Sequence, residues 1–176
     1  MKKGIKIAVS GRSGCGNTTI SRMTADILGL NFVNFTFRSL AKERGMDLVK
    51  VLELAQSDDS WDREVDTRQL ELAREEGGCV LGSRLAIWML KEADLKVYLK
   101  AEPHVRAQRI VKREGGNLED VAAFTEERDK HDRERYLNIY YIDTDNYSFA
   151  DLIIDTDAIT PQEITDLIVN KAREIE

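Results

Sequence analysis

Gly11-Arg12-Ser13-Gly14-Cys15-Gly16-Asn17-Thr18-Thr19 decides how this chain folds. Ahead of it lies an apolar run, Ile5 to Val9, with the make-up of a buried strand. Behind it, Ile20, Met23, Ile27 and Leu28 recur at helical spacing. Strand, glycine-rich loop and helix, in that order, form the setting of a phosphate-binding loop. The glycines let successive backbone N–H groups turn toward one anion, and the helix start adds unsatisfied N–H groups and a positive dipole end. Thr18 stands where the pattern places the hydroxyl that supports Mg²⁺. The pattern's lysine is replaced by Asn17, which donates a hydrogen bond but carries no charge. The missing charge is expected from arginines elsewhere. A glycine-rich turn without a ligand is the alternative, and the strand and helix on either side speak against it.

Four further runs read as strands: 31–35, 79–81, 95–99 and 151–155. Helical patterns separate them: 37–45, a stretch through Val51, Leu52 and Ala55 with Asp47 as its cap, a polar helix from Asp62 to Glu76, 84–90, a helix near Pro103, a long charged helix from Leu118 to about Tyr141, and 161–175. Five strands alternating with helices predict an α/β fold in three layers. A parallel sheet is covered on both faces, with ligands at the carboxyl ends of its strands.

At 176 residues the chain is expected to form a single domain, 1–176, and to be a monomer. Its net charge of −6 argues against a nucleic-acid backbone or an anionic membrane as partner. Cys15 and Cys79 suit reduced thiols, and no leader or spanning segment stands out, so a cytoplasmic location is expected. Cys15 reads as a small residue of the loop and as a possible target for thiol reagents. His104 and His131 have no partners at metal-ligand spacing.

Two helix faces carry arginines. Arg106, Arg109 and Arg113 share one, and Arg128, Asp132 and Arg135 share another. Gly115-Gly116 lies between them as a hinge, so the pair describes a lid able to close on phosphates. Two solvated helices laced by ion pairs are the alternative. Arg38 follows the second strand. Arg84 follows the third, where its guanidinium would face a second phosphate group. Asp62, Asp66 and Gln69 share a face of the polar helix, with Arg63 and Arg68 alongside, and an exposed face is as plausible for them as ligand reading. Tyr136, Tyr140 and Tyr141 read as helix packing.

Taken in order, several of these stretches resemble one family. They are the loop 11–19, Phe37 to Asp47, Asp62 to Asp66 with Arg68 to Ala73, Arg84-Leu85-Ala86, Ala93 to Lys96, and Arg133 to Tyr136. The chain resembles the cytidylate kinases, in the short archaeal-type branch of the nucleoside monophosphate kinases, over almost its whole length. The resemblance implies a P-loop NTPase fold, with a monophosphate-binding segment at about 35–76 and a lid at about 106–141. It implies phosphoryl transfer from ATP, with Mg²⁺, to CMP or dCMP. Gly11, Arg12, Ser13, Gly14, Cys15, Gly16, Asn17, Thr18 and Thr19 would hold the ATP phosphates, and Asp157, after the last strand, would lie near the adenine. Arg38 and Arg84 would hold the monophosphate. Asp62, Asp66 and Arg68 would lie by the base. Arg128, Asp132 and Arg135 would come from the lid. Arg106, Arg109 and Arg128 are the candidate catalytic arginines. Two departures stand out: Asn17, at a position where this branch often lacks the lysine, and Gly82-Ser83-Arg84, since the family commonly carries an acid in the segment just before the arginine. A same-fold kinase for another acceptor and a nucleotide-binding regulatory protein stay open as readings.

Overall fold

The order of elements is β1 (Lys6–Gly11), α1 (Asn17–Leu28), β2 (Asn31–Val33), α2 (Phe37–Glu43), α3 (Leu48–Ala55), α4 (Ser60–Arg74), β3 (Cys79–Gly82), α5 (Ala86–Met89), β4 (Leu95–Lys100), α6 (Pro103–Glu114), α7 (Leu118–Tyr140), β5 (Leu152–Asp155) and α8 (Pro161–Arg173). The structure, a computed structural model, describes residues 1–75 and 77–175. Glu76, the expected end of the polar helix and of the monophosphate-binding segment, lies outside the described residues.

The strands among the described residues form one parallel sheet in the order β2-β3-β1-β4-β5. β1 runs through the middle, with Ile7 opposite Val80 on one side and Leu95 on the other. Alternation along β1 feeds two cores. Ile5, Ile7 and Val9 join Ile20 of α1 and Ile164 and Ile168 of α8. Ala8 joins Leu81, Ile87, Leu90 and Tyr98 on the opposite face. Both faces of the sheet are thus covered, as a parallel sheet requires, and the expected three-layer α/β fold is present.

Outside these cores, Phe35, Leu40 and Val65 make a smaller cluster that ties α2 to α4. α6 and α7 are joined by Gly115 and Gly116, both at positive φ (81° and 102°). Asn117 then caps α7, its side chain accepting from the N–H groups of Glu119 and Asp120. The predicted break falls where the sequence placed it.

The predicted helix 84–90 is a correction. Only Ala86–Met89 is helical. The Ser83 N–H still donates to Val9 O at 3.2 Å, which prolongs the β3–β1 pairing. The Ile87 N–H is held by Ser10 Oγ at 3.1 Å. Arg84 and Leu85 are spent turning the chain from strand to helix. Among the described residues no helix is long and apolar enough to cross a membrane.

Candidate functional site

A cavity of about 830 Å³ opens at the carboxyl ends of β1, β2 and β3. Loop 11–19 forms its floor, without Cys15. Asn34 to Phe37, the end of α3, one face of α4, residues 82–85 and one face of α7 form its walls. This is where a doubly covered parallel sheet binds ligands.

The loop takes the shape that its glycines permit. Gly14 and Gly16 have φ of 85° and 90°. At Gly14 a Cβ would come within 2.8 Å of the Arg106 carbonyl oxygen, so only glycine lets α6 press against the loop. Thr18 and Thr19 lie exposed on the first turn of α1 and line the cavity. Cys15 faces the other way. It is 2 % exposed, in the core under the loop, and burial pushes its thiol up. A buried thiol of raised pKa is unreactive, which corrects the reading of Cys15 as a reagent target.

Asn17 turns inward. Its amide N–H groups bond Val9 O (3.1 Å) and Ser83 O (3.2 Å), and its carbonyl accepts from Ser21 Oγ (3.0 Å). It therefore ties the ends of β1 and β3 to α1. Gly82 belongs to the same contact: a Cβ there would sit 2.6 Å from Ser21 Oγ and 3.1 Å from Asn17 Oδ1. Asn17 and Gly82 are thus parts of one packing arrangement, with an uncharged amide at 17 and no side chain at 82.

The arginines divide by location. Arg106 is 2 % exposed behind the loop, donating to Ser13 O (3.1 Å) and paired with Asp129 (2.7 Å). Arg109 donates to Thr156 Oγ1 (2.8 Å) and Thr156 O (2.6 Å) and reaches Gly14 O (3.4 Å). Neither lines the cavity. Their expected approach to the transferring phosphoryl group is not what this structure presents. Both guanidiniums are committed to loop and strand-end carbonyls.

Arg84, Arg113, Arg128 and Arg135 do line it. Arg84 pairs with Asp132. Arg135 pairs with Asp62 and donates to Ala55 O at 2.7 Å. Arg113, which the sequence placed on the lid face without a role, pairs with its neighbour Glu114 and with no other acid among the described residues. Arg128 has no hydrogen-bond or ion-pair partner among the described residues. Desolvation by burial and the nearby Arg84 guanidinium both pull its pKa down.

Three other expected residues lie elsewhere. Arg38 is exposed on the first turn of α2 and is not part of the cavity lining. Arg68 sits on the outer side of α4 with Glu71 (3.3 Å) and Glu43 (4.0 Å). Helical geometry explains this: at 100° per residue it points away from the face of Asp62, Asp66 and Gln69. Asp157 accepts from the Glu102 N–H (3.1 Å), so it fixes the start of α6 instead of lining the cavity. Arg12 lines the cavity and pairs with Asp145 of the segment after α7.

At the far wall, Asp62, Asp66 and Gln69 come together as their spacing predicts. Burial pushes Asp66 up to about 6, against the Tyr140 hydroxyl that donates to it at 2.6 Å. Tyr136 also lines the cavity, and burial pushes its hydroxyl up. Both tyrosines had read as packing. Their signal was the spacing, since Tyr136 follows Asp132 by one turn of α7. Phe35, Phe37 and Leu52 add apolar wall that sequence reasoning did not assign. Among the described residues no group of three His, Cys, Asp or Glu side chains could hold a metal.

A model of the cytidylate kinase-like family matches residues 6–158. "Cytidylate kinase 2" of Borreliella afzelii (strain PKo) is 48% identical over 168 residues, spanning 93% of this chain and 94% of that protein. "Cytidylate kinase" of Pyrococcus horikoshii is 44% identical over 165 residues, spanning 93% of this chain and 85% of its own. Among solved structures, shikimate kinase from Acinetobacter baumannii in complex with shikimate superposes with a TM-score of 0.65 at 19% identity, over 97% of this chain and 93% of that one. Deoxyadenosine kinase from M. mycoides with bound dATP superposes with a TM-score of 0.59 at 18% identity, over 96% and 100%. At such identities these two share the fold.

Proposed function

The chain belongs to the cytidylate kinase-like family, and from that premise we propose how its cavity works. It is an ATP-dependent phosphotransferase that passes the γ-phosphoryl group of ATP to CMP or dCMP, giving ADP and CDP or dCDP, and we place that work in the cytoplasm. One observation carries the reading: a single cavity joins a glycine loop to a wall of acceptors, and an unpaired arginine, Arg128, lines it.

In this reading the backbone N–H groups of residues 11–19 hold the ATP phosphates. Thr18 fits a magnesium site, because its hydroxyl is exposed on the first helical turn and makes no hydrogen bond among the described residues. The chemistry Mg²⁺ supplies when bound is charge neutralisation on the phosphates. Arg84 and Arg128 hold the acceptor monophosphate, with Arg38 reaching in from α2. Arg113 and Arg128 meet the charge that develops on the transferring group. Arg106 and Arg109 act indirectly, by holding the loop's carbonyls outward from the cavity. Segment 35–76 carries the monophosphate, and 106–141 closes as a lid about Gly115-Gly116. Closure excludes the water that would otherwise take the phosphoryl group. The acceptor is already an anion, so no general base is required. Positioning and charge do the work.

The test is ADP release with Mg²⁺·ATP and, separately, CMP, dCMP, UMP, AMP or no acceptor. Turnover that depends on CMP or dCMP is the expected result. Turnover with another acceptor alone moves the substrate and keeps the fold. Nucleotide binding without turnover favours a regulatory protein.

A further inference from the structure

Gln69 stands apart among the groups on the cavity wall. It lies on α4, is 6% exposed and lines the cavity. Its amide nitrogen donates to Asp66 Oδ1 at 3.3 Å. Its carbonyl oxygen is buried and has no hydrogen-bond partner among the described residues. Leaving a buried acceptor unmade costs about 1–3 kcal/mol, so such an atom calls for an explanation.

The orientation of this amide is fixed from behind. Turned over, it would set its carbonyl against the Asp66 carboxylate. Asp66 in turn accepts from the Tyr140 hydroxyl at 2.6 Å. Tyr140 is held under Arg63, whose guanidinium lies 5.4 Å from the ring centre and donates to Ile139 O at 3.0 Å. A chain of contacts from α7 to α4 therefore keeps the Gln69 donor occupied and its acceptor free. The other acid of this face, Asp62, is taken up by Arg135.

We propose that Gln69 is the specificity-determining residue of the acceptor site, its carbonyl oxygen accepting from the exocyclic amino group of the base. This rests on the reading of the cavity as a nucleoside monophosphate site. A base with an amino group there, as in cytosine, satisfies the orphan acceptor. A base with a carbonyl there, as in uracil, sets oxygen against oxygen. The discrimination thus comes from a positioned acceptor and not from the size of the cavity.

The decisive comparison uses the unmodified protein. kcat/KM is measured with Mg²⁺·ATP for CMP, for UMP, and for the 5′-monophosphate of the pyrimidin-2-one riboside, which is CMP without its amino group. The expected loss from CMP to the pyrimidinone is about 10- to 100-fold, the range of an unmade bond to a buried acceptor. UMP falls at least as far. The same three substrates are then given to Gln69→Met, which keeps the volume and removes the acceptor. In that variant CMP drops to the level of the pyrimidinone, the two agreeing within about threefold, because no amino-group bond is left to lose. If the unmodified protein takes CMP and the pyrimidinone equally well, the proposal is overturned while the kinase reading stands. A folded Gln69→Met that keeps the full preference for CMP overturns it as well. If the unmodified protein phosphorylates no CMP at all, the kinase reading falls and takes this proposal with it.

Discussion

The cavity has a floor and a wall, and both are built with arginines, but the two sets are in opposite states. Under the floor, Arg106 and Arg109 are held by the protein: loop carbonyls, Thr156 and Asp129 engage their terminal nitrogens, while the buried Arg106 Nε has no hydrogen-bond partner among the described residues. Along the wall, Arg128 has no partner among the described residues, and Arg84 and Arg135 hold carboxylates, Asp132 and Asp62. A guanidinium held in this way by loop carbonyls and a buried carboxylate is architecture. An unpaired or exchangeable one beside a cavity is a ligand site. Residue type alone does not separate these roles. Partner accounting does.

The contrast breaks most sharply at Arg128. Arg128→Ala should lower turnover by about 10³-fold, the scale of an arginine acting on a transferring phosphoryl group. Its melting temperature should stay level or rise, since an exposed cation facing Arg84 without a partner among the described residues is removed. Steady-state ADP release and a thermal melt on one preparation decide this. A large fall in melting temperature would put Arg128 with the floor.

Arg106→Ala should do the reverse. It leaves the Asp129 carboxylate with the longer Arg12 pair at 3.8 Å in place of the 2.7 Å one, and loss of one partner of a buried pair costs up to about 3–5 kcal/mol. Urea denaturation would read it as a lowered midpoint. An unchanged midpoint with lost activity would return Arg106 to the catalytic set.

A smaller effect tests the wall through pH. Burial raises Asp66 to about 6 in the folded protein, so between about pH 4 and that value the folded state binds more protons than the unfolded one. Stability then falls as pH rises through this window, by about 2–3 kcal/mol from this group. Asp66→Asn should flatten the curve of unfolding free energy against pH over that range. An unaltered curve would mean that Asp66 is not the group responsible.

The least effect sharpens the floor. Asn17→Ala removes bonds to Val9 O and Ser83 O and should cost about 1–2 kcal/mol of stability. A measured change near zero would mean that the amide is not a strut between the strands.

Much of this was legible beforehand. Apolar runs located every strand of the sheet to within a residue or two, because a strand covered on both faces has to be continuously apolar. The glycine pair located the break between α6 and α7. The roles of the arginines were not legible. Arg106, Arg109 and Arg113 do share a face of α6, but that face runs under the loop, and only the last reaches the cavity. Periodicity gives the face and leaves open what it meets. Arg68 and Gln69 are neighbours in sequence and a third of a helical turn apart, which puts one on the outer side and the other in the wall. The turn at Arg84-Leu85 escaped notice because pairing beyond β3 is a property of the sheet and not of the local residues.

The fit of Asn17 against Gly82 also bears on which changes this chain tolerates one at a time. Placing an acid at position 82 drives its first side-chain carbon into Ser21 and Asn17. Placing a lysine at position 17 gives up three hydrogen bonds. Each single change disturbs the same packing, so the two together should depart from the sum of their separate effects. A double-mutant cycle over positions 17 and 82 would read that coupling directly.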